Sequence, residues 1–266
     1  MPFMDKNIEL IPVMDLLKGE VVRAVRGDRQ SYQPVVSQLC SSSAPLAIAR
    51  ALCEHCNTRR LYVADLDALM GGVPQTAALL GVLHAMPELE LWLDAGFADA
   101  AAARRLLAEF GADATRVVPV LASESLLSRQ ALAACFEDEA LRGAALSLDR
   151  RNGQRMDAAG AWEAPELWPQ RVIVMTLERV GSGAGPDLQT MRELRQKAPA
   201  GTWLVGAGGV RSQADMQAAA LAGADAWLVA SALHDGHIPK QLAKQLPMLS
   251  PVQSSVQSPV QSPPAN

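Results

Sequence analysis

The run TWLVGAGGVRSQADMQAAALAGADAWLVAS, residues 202–231, reads without a gap as strand, glycine turn, helix and strand. An apolar start, the small cluster Gly206-Ala207-Gly208-Gly209, an alanine-rich segment and a second apolar run give that order. It has a twin in LWLDAGFADAAAARRLLAEFGADATRVVPVLAS, residues 91–123. Trp92 answers Trp203, Gly96 answers Gly208, Gly111-Ala112-Asp113 answers Gly223-Ala224-Asp225, and Ala122-Ser123 answers Ala230-Ser231. Two copies of one strand-helix unit imply two half-domains. Such units close most economically into a parallel (β/α)8 TIM barrel, here with a half-barrel internal repeat, and barrels of this kind carry their reactive groups at the strand C-termini.

The length of 266 residues fits one such barrel, typically about 250 residues, so residues 1–246 are expected to form a single domain. A content of 49% hydrophobic and 20% charged residues is that of a globular chain with a large core. The net charge of −4 argues against a nucleic-acid surface, and 4% aromatics leaves little for base stacking. No stretch has the character of a membrane span or a secretory leader, so a cytoplasmic location is expected. Four cysteines in a chain of this length read as reduced thiols. Cys53 and Cys56 lie in a helical segment with no second ligand pair downstream, which makes them packing residues; neither a metal nor a cofactor is expected. From residue 247 the chain turns into a repetitive Pro, Gln and Ser tail, expected to be disordered.

Taken in order, residues 9–14 form a strand ending on Asp15, and Lys18-Gly19 turns the chain into a second extended run over 20–25. A carboxylate at a strand C-terminus faces the barrel mouth, where a general acid or base belongs; a loop-capping Asp is the alternative. Arg23, Arg26 and Arg29 follow in the hairpin and long loop, as substrate-binding or merely solvated groups. Residues 44–56 are helical. The second strand, 60–64, ends on Asp65, which either orients substrate or caps a helix. The third ends on Asp94-Ala95-Gly96 and the fourth, 116–121, on Ala122-Ser123, with helices expected over 99–110 and 124–136.

The fifth strand, 143–148, delivers Asp149, the counterpart of Asp15 when each half holds four strands. Asn152-Gly153 marks a turn beyond it that could fold inward as a hairpin. Trp162 follows, as a lid or as a residue packed beside Trp168. The sixth strand, 171–175, ends on Thr176, and the glycine-rich turn around Gly183 leads to Pro186 at a helix start. The seventh ends in Gly206, Gly208 and Gly209, and the eighth, 227–230, runs into Ser231. Consecutive glycines let backbone N–H groups approach a phosphate, and the loops after strands seven and eight are where barrels commonly hold one. His234 and His237 have no partner set and read as surface residues.

These residues resemble the histidine-biosynthesis barrels, the isomerase HisA and its cyclase relative HisF, over about residues 9–238. The likeness lies in Ile11-Pro12-x-x-Asp15, Gly19-x-Val21-Val22-Arg23, Leu148-Asp149-x-Arg151 with Trp162 behind it, Thr176, and Gly208-Gly209-Val210. The resemblance implies that Asp15 and Asp149 are an acid and base pair, that Thr176 joins them, and that Arg23, Arg151 and the glycine turns contact a small phosphorylated substrate. Asp94-Ala95-Gly96 stands where that family has a glycine run, and Ala122-Ser123 where it has Gly-Ser or Gly-Thr. A carboxylate there repels a phosphate by roughly 1 to 4 kcal/mol at about 4 Å. Gly181-Ser182-Gly183 and Ala230-Ser231 depart from the family's loops after strands six and eight.

These departures make the chain more similar to a divergent HisA-like branch found beside genes for tetrahydromethanopterin and methanofuran-type one-carbon cofactors. Arg26-Gly27-x-Arg29-x-x-Tyr32-x-Pro34-Val35 is at home in that branch. The resemblance implies an enzyme of isomerase or lyase type in one-carbon cofactor biosynthesis. Two alternatives stand beside it: the histidine-pathway isomerase itself, and a non-catalytic binding or assembly subunit. A partner enzyme or a homo-oligomer fits either.

Overall fold

The computed structural model describes residues 8–24 and 32–240; Arg26, Arg29 and the tail from residue 247 lie outside them. The described strands are β1 (Glu9–Leu17), β2 (Glu20–Arg23), β3 (Gln33–Pro34), β4 (Arg60–Asp65), β5 (Glu90–Asp94), β6 (Val117–Ala122), β7 (Ala145–Arg151), β8 (Gln154–Arg155), β9 (Arg171–Thr176), β10 (Trp203–Ala207) and β11 (Ala226–Val229). Eight of them pair in parallel in the order β1-β4-β5-β6-β7-β9-β10-β11, and β11 returns to β1 through Glu9↔Ala226 and Pro12↔Val229. The sheet is therefore a closed parallel barrel. Helices lie between the strands: α1 (Pro45–Cys56), α2 (Leu66–Leu69), α3 (Thr76–Ala85), α4 (Ala100–Glu109), α5 (Arg129–Glu137), α6 (Leu188–Lys197), α7 (Gln213–Leu221) and α8 (Ser231–His234).

The strands are apolar on both faces because both faces are covered, as in β6 and β11, where every residue is buried. Alternate residues Ile11, Tyr62, Trp92, Val120, Ile173, Val205 and Leu228 fill the barrel, while their neighbours pack under the helices. The twin units meet at the barrel floor. Trp92 and Trp203 stack edge to face with ring centroids 5.6 Å apart. Arg171 lies 5.5 Å over Trp92 and Arg60 lies 5.3 Å over Trp203. Arg60 also bonds Glu9 at 2.7 Å and Glu90 at 3.0 Å, which seals the end of the barrel opposite the reactive face. The helices of the twins start alike: Asp99 accepts from the Ala102 N–H and Ser212 from the Asp215 N–H.

Among the boundaries that differ from expectation, three have plain local reasons. The seventh strand stops at Ala207 because Gly208 and Gly209 both take positive φ, 83° and 81°, which no strand continues. The helix expected from residue 124 starts at Arg129 behind a Ser128 cap, because Ser125 and Leu126 first turn back onto the Ala122 carbonyl. Pro186 does not begin α6; Asp187 caps it by accepting from the Thr190 N–H at 3.1 Å.

Candidate active site

Two hairpins extend the barrel at equivalent places. β1 turns into β2 at Lys18 and Gly19, with φ of 51° and 82°, and β7 turns into β8 at Asn152 and Gly153, with φ of 51° and 78°. Positive φ at both central residues gives the twist that two-residue hairpins require. Asp15 precedes the first turn by the same spacing as Asp149 precedes the second, so the two carboxylates hold one position in the two half-barrels. Both line a single cavity of roughly 410 Å³ at the C-terminal ends of the strands.

Asp149 is 3% exposed and firmly held. Its Oδ1 accepts from the Ser147 hydroxyl at 2.7 Å, and its Oδ2 from the Ser123 hydroxyl and the Glu124 N–H, both at 3.2 Å. Its own N–H donates to Ser123 Oγ at 2.9 Å. Burial, reinforced by the charges of Glu124 and Asp94, pushes the Asp149 carboxyl up to about 7 from an ordinary 3.8. Asp94, 7% exposed, accepts from the Tyr62 hydroxyl at 3.0 Å and from the Gly96 N–H at 3.2 Å. Burial first, then the charges of Asp94, Asp149 and Asp15, raise the Tyr62 phenol well above its usual range. One buried phenol thus senses all three carboxylates.

The opposite wall is of another kind. Gly183, Gly208, Gly209 and Ser231 line the cavity there, together with Arg179 and Arg211. Gly209 is a requirement of packing, since a Cβ there would overlap the Gly185 carbonyl. Arg211 is paired with Asp215, whereas among the described residues Arg179 has no carboxylate within ion-pair distance and donates to the Ala184 carbonyl at 3.0 Å. Arg151 reaches the cavity from β7, and its Nε is buried with no hydrogen-bond partner.

The structure brings together Asp15, Asp94, Asp149, Arg23, Arg151, Gly183, Gly208, Gly209 and Ser231, and leaves other expected residues outside. Thr176 points away from the barrel interior, and its hydroxyl donates to Asp187 at 3.1 Å in a cluster with Thr190 and Arg150. Asp65 is fully buried as the cap of α2, accepting from Ala68 N–H at 3.1 Å and Gln75 N–H at 2.6 Å. Gly206 is a packing position, because a Cβ on it would overlap the Trp227 ring. Ser123 reaches the cavity only through Asp149. Arg23 lines the cavity, but its guanidinium grips Asp235 through two bonds of 2.7 and 2.5 Å.

Trp162 is buried with Arg155 5.0 Å over its ring, so of lid and packing residue it is the latter here. His234 is not a surface residue: it is 4% exposed, its Nδ1 lies 2.9 Å from Ser37 Oγ, and burial pushes its imidazole down to about 4. His237 sits at the exposed rim of the cavity. Cys53 and Cys56 are buried packing thiols, that of Cys53 pushed up to about 12 by burial.

Tyr62, Ser147, Glu124, Arg179 and Arg211 escaped sequence reasoning. Strand alternation was the available signal for Ser147, which lies two residues before Asp149 and so on the same face. Residues placed by loops carry no such periodicity.

Comparison with known proteins identifies the family. The family model described as histidine biosynthesis protein matches residues 9–239. A 1-(5-phosphoribosyl)-5-((5-phosphoribosylamino)methylideneamino)imidazole-4-carboxamide isomerase of Pelotomaculum thermopropionicum is 29% identical over 225 residues, 79% of each chain. The isomerase of the same name from a Synechococcus is 28% identical over 232 residues, 82% of each chain. An uncharacterized protein of Methanocaldococcus jannaschii is 23% identical over 234 residues, 86% of this chain and 94% of its own. A HisA-like barrel whose aspartates, hairpins and glycine turns fall where the repeat requires them, this chain belongs to the histidine biosynthesis protein family.

Proposed function

We propose that this barrel is an isomerase-type enzyme that moves protons between Asp149 and Asp15 on a small phosphorylated substrate. The observation that carries the reading is the placement of two carboxylates at equivalent positions of the two half-barrels, on one cavity. Asp149, with its carboxyl near 7, holds a proton to give at neutral pH, and Asp15 takes one from the other side. The substrate phosphate sits against Gly208, Gly209, Gly183 and Ser231, with Arg179 and Arg151 completing its charge balance. Asp94 and Arg23 shape the remaining walls, while Ser123 and Ser147 fix the Asp149 carboxyl. Thr176 and Asp65 act through the frame.

The resemblance to the HisA-like branch supports placing the reaction, as part of this proposal, in the biosynthesis of a one-carbon cofactor of the methanofuran or tetrahydromethanopterin type. Disruption of the gene tests that placement by loss of the cofactor. The relatives' printed names favour a second reading, the histidine-pathway isomerase, which turnover of their bis-phosphoribosyl compound would establish. The acid and base pairing itself is tested by turnover of extracted phosphorylated metabolites. Asp15→Asn and Asp149→Asn are each expected to lose about a hundred-fold or more in rate, and full activity in either removes the pairing.

A further inference from the structure

Resting on that reading, we infer that the substrate carries one phosphate, and that Asp94 sets this specificity by filling the corner a second phosphate would need. The relatives' isomerases are named for a compound with two phosphoribosyl groups. A barrel made of two equivalent halves offers two equivalent corners for such a compound, one beyond β10 and β11 and the other beyond β5 and β6. In this chain the corners have diverged. The first keeps consecutive left-handed glycines, Gly208 and Gly209, beside Arg179. In the second, β5 ends on the carboxylate of Asp94, where β10 ends on the uncharged Ala207.

The donors of the second corner are already engaged by carboxylates of the chain. The Gly96 N–H, the counterpart of the Gly208 N–H in the twin segments, donates to Asp94 Oδ1 at 3.2 Å. The Tyr62 hydroxyl donates to Asp94 Oδ2 at 3.0 Å. Across the corner, the Ser123 hydroxyl and the Glu124 N–H donate to Asp149 Oδ2. Two carboxylates of the chain thus use the hydrogen bonds that a phosphate would draw on, and Glu124 adds a third acidic side chain to the wall. A phosphate entering here displaces Asp94 from two bonds and then sits beside like charge. An ionised carboxylate accepts and never donates. The substrate end that faces Asp94 therefore bears a hydrogen-bond donor, a hydroxyl or an ammonium group, in place of an anion.

Inorganic phosphate is the probe, read by phosphorus NMR titration and by crystals soaked at millimolar concentration. The wild-type chain is expected to bind one phosphate, against Gly208, Gly209 and Ser231, and Arg179→Ala to weaken it about ten-fold. Asp94→Gly, which removes the carboxylate and frees Tyr62 and Gly96, is expected to admit a second. Asp94→Ser serves the same purpose with a smaller change in backbone freedom. Two phosphates on the wild type, one on the Gly96 side, or none at all overturns the inference. So does a folded Asp94→Gly or Asp94→Ser that still takes only one. The acid and base reading fails differently: aspartate-independent turnover with one bound phosphate removes that reading alone. Aspartate-dependent turnover of the bis-phosphoribosyl compound keeps it and removes this one.

Discussion

Replacing Asp149 by Asn is expected to reverse the effect of this position on stability between acid and alkaline pH. The Asp149 carboxyl lies at about 7 in the fold against 3.8 as an ordinary carboxyl. The folded state therefore binds a proton that the unfolded chain has lost, and stability present below about pH 4 declines as pH rises through about 7. A difference near 3 units, at about 1.36 kcal/mol each, makes this decline about 4 kcal/mol. Asn keeps an oxygen for the Ser147 hydroxyl but sets an N–H against the Glu124 N–H, which now donates at 3.2 Å. That mismatch costs about 1 to 2 kcal/mol at every pH. Asp149→Asn should thus be less stable than the wild type by about 1 to 2 kcal/mol near pH 4 and more stable by about 2 to 3 kcal/mol at pH 8. Urea unfolding of both chains across this range reads the difference, so that other carboxylates cancel. A pH-independent difference, or one that favours Asn at low pH, would show that the Asp149 carboxyl is not raised in the fold.

Gly206→Ala should destabilise by about 3 kcal/mol or leave the chain unfolded, since its Cβ overlaps the Trp227 ring in a close-packed layer; urea unfolding measures it. Gly81→Ala, in the exposed middle of α3 with nothing near its added methyl group, should stabilise by about 0.5 to 1 kcal/mol by the same measurement. Arg60→Ala removes the bonds to Glu9 and Glu90 and the stacking on Trp203. With all three ionic groups about a third exposed, the loss should be about 1 to 2 kcal/mol and shrink as salt is added to a thermal melt.

The fold was legible because it is written twice. Trp92 and Trp203 mark the two copies in the sequence and touch each other in the barrel floor, and Asp15 and Asp149 precede two turns of the same conformation. What resisted reading was the direction of a side chain at a strand end. Thr176 and Asp94 both close a barrel strand, yet Thr176 turns outward to Asp187 while Asp94 turns inward to Tyr62. Their difference is one step of strand alternation, and a boundary uncertain by one residue reverses it. Asp65 illustrates the same ambiguity, since an aspartate before a helix has the composition of a site and the geometry of a cap. Gly206 stands in a glycine cluster that suggests anion binding as a whole, but close approach of Trp227 explains that one member. The arginines divide by partners the sequence does not pair: Arg23 is matched by Asp235 more than two hundred residues away, while Arg179 meets no acid among the described residues.

Proton exchange at the substrate is the step that requires both Asp15 and Asp149. Phosphorylated metabolites extracted from the source cells, incubated with the protein in deuterated water, should yield one compound converted to an isomer of equal composition. Mass spectrometry should find one solvent deuterium in it, and Asp15→Asn and Asp149→Asn should each suppress the conversion by about a hundred-fold. Conversion that proceeds undiminished in either variant, or a pool left unchanged by the wild-type chain, contradicts the claim that these two carboxylates work as an acid and a base.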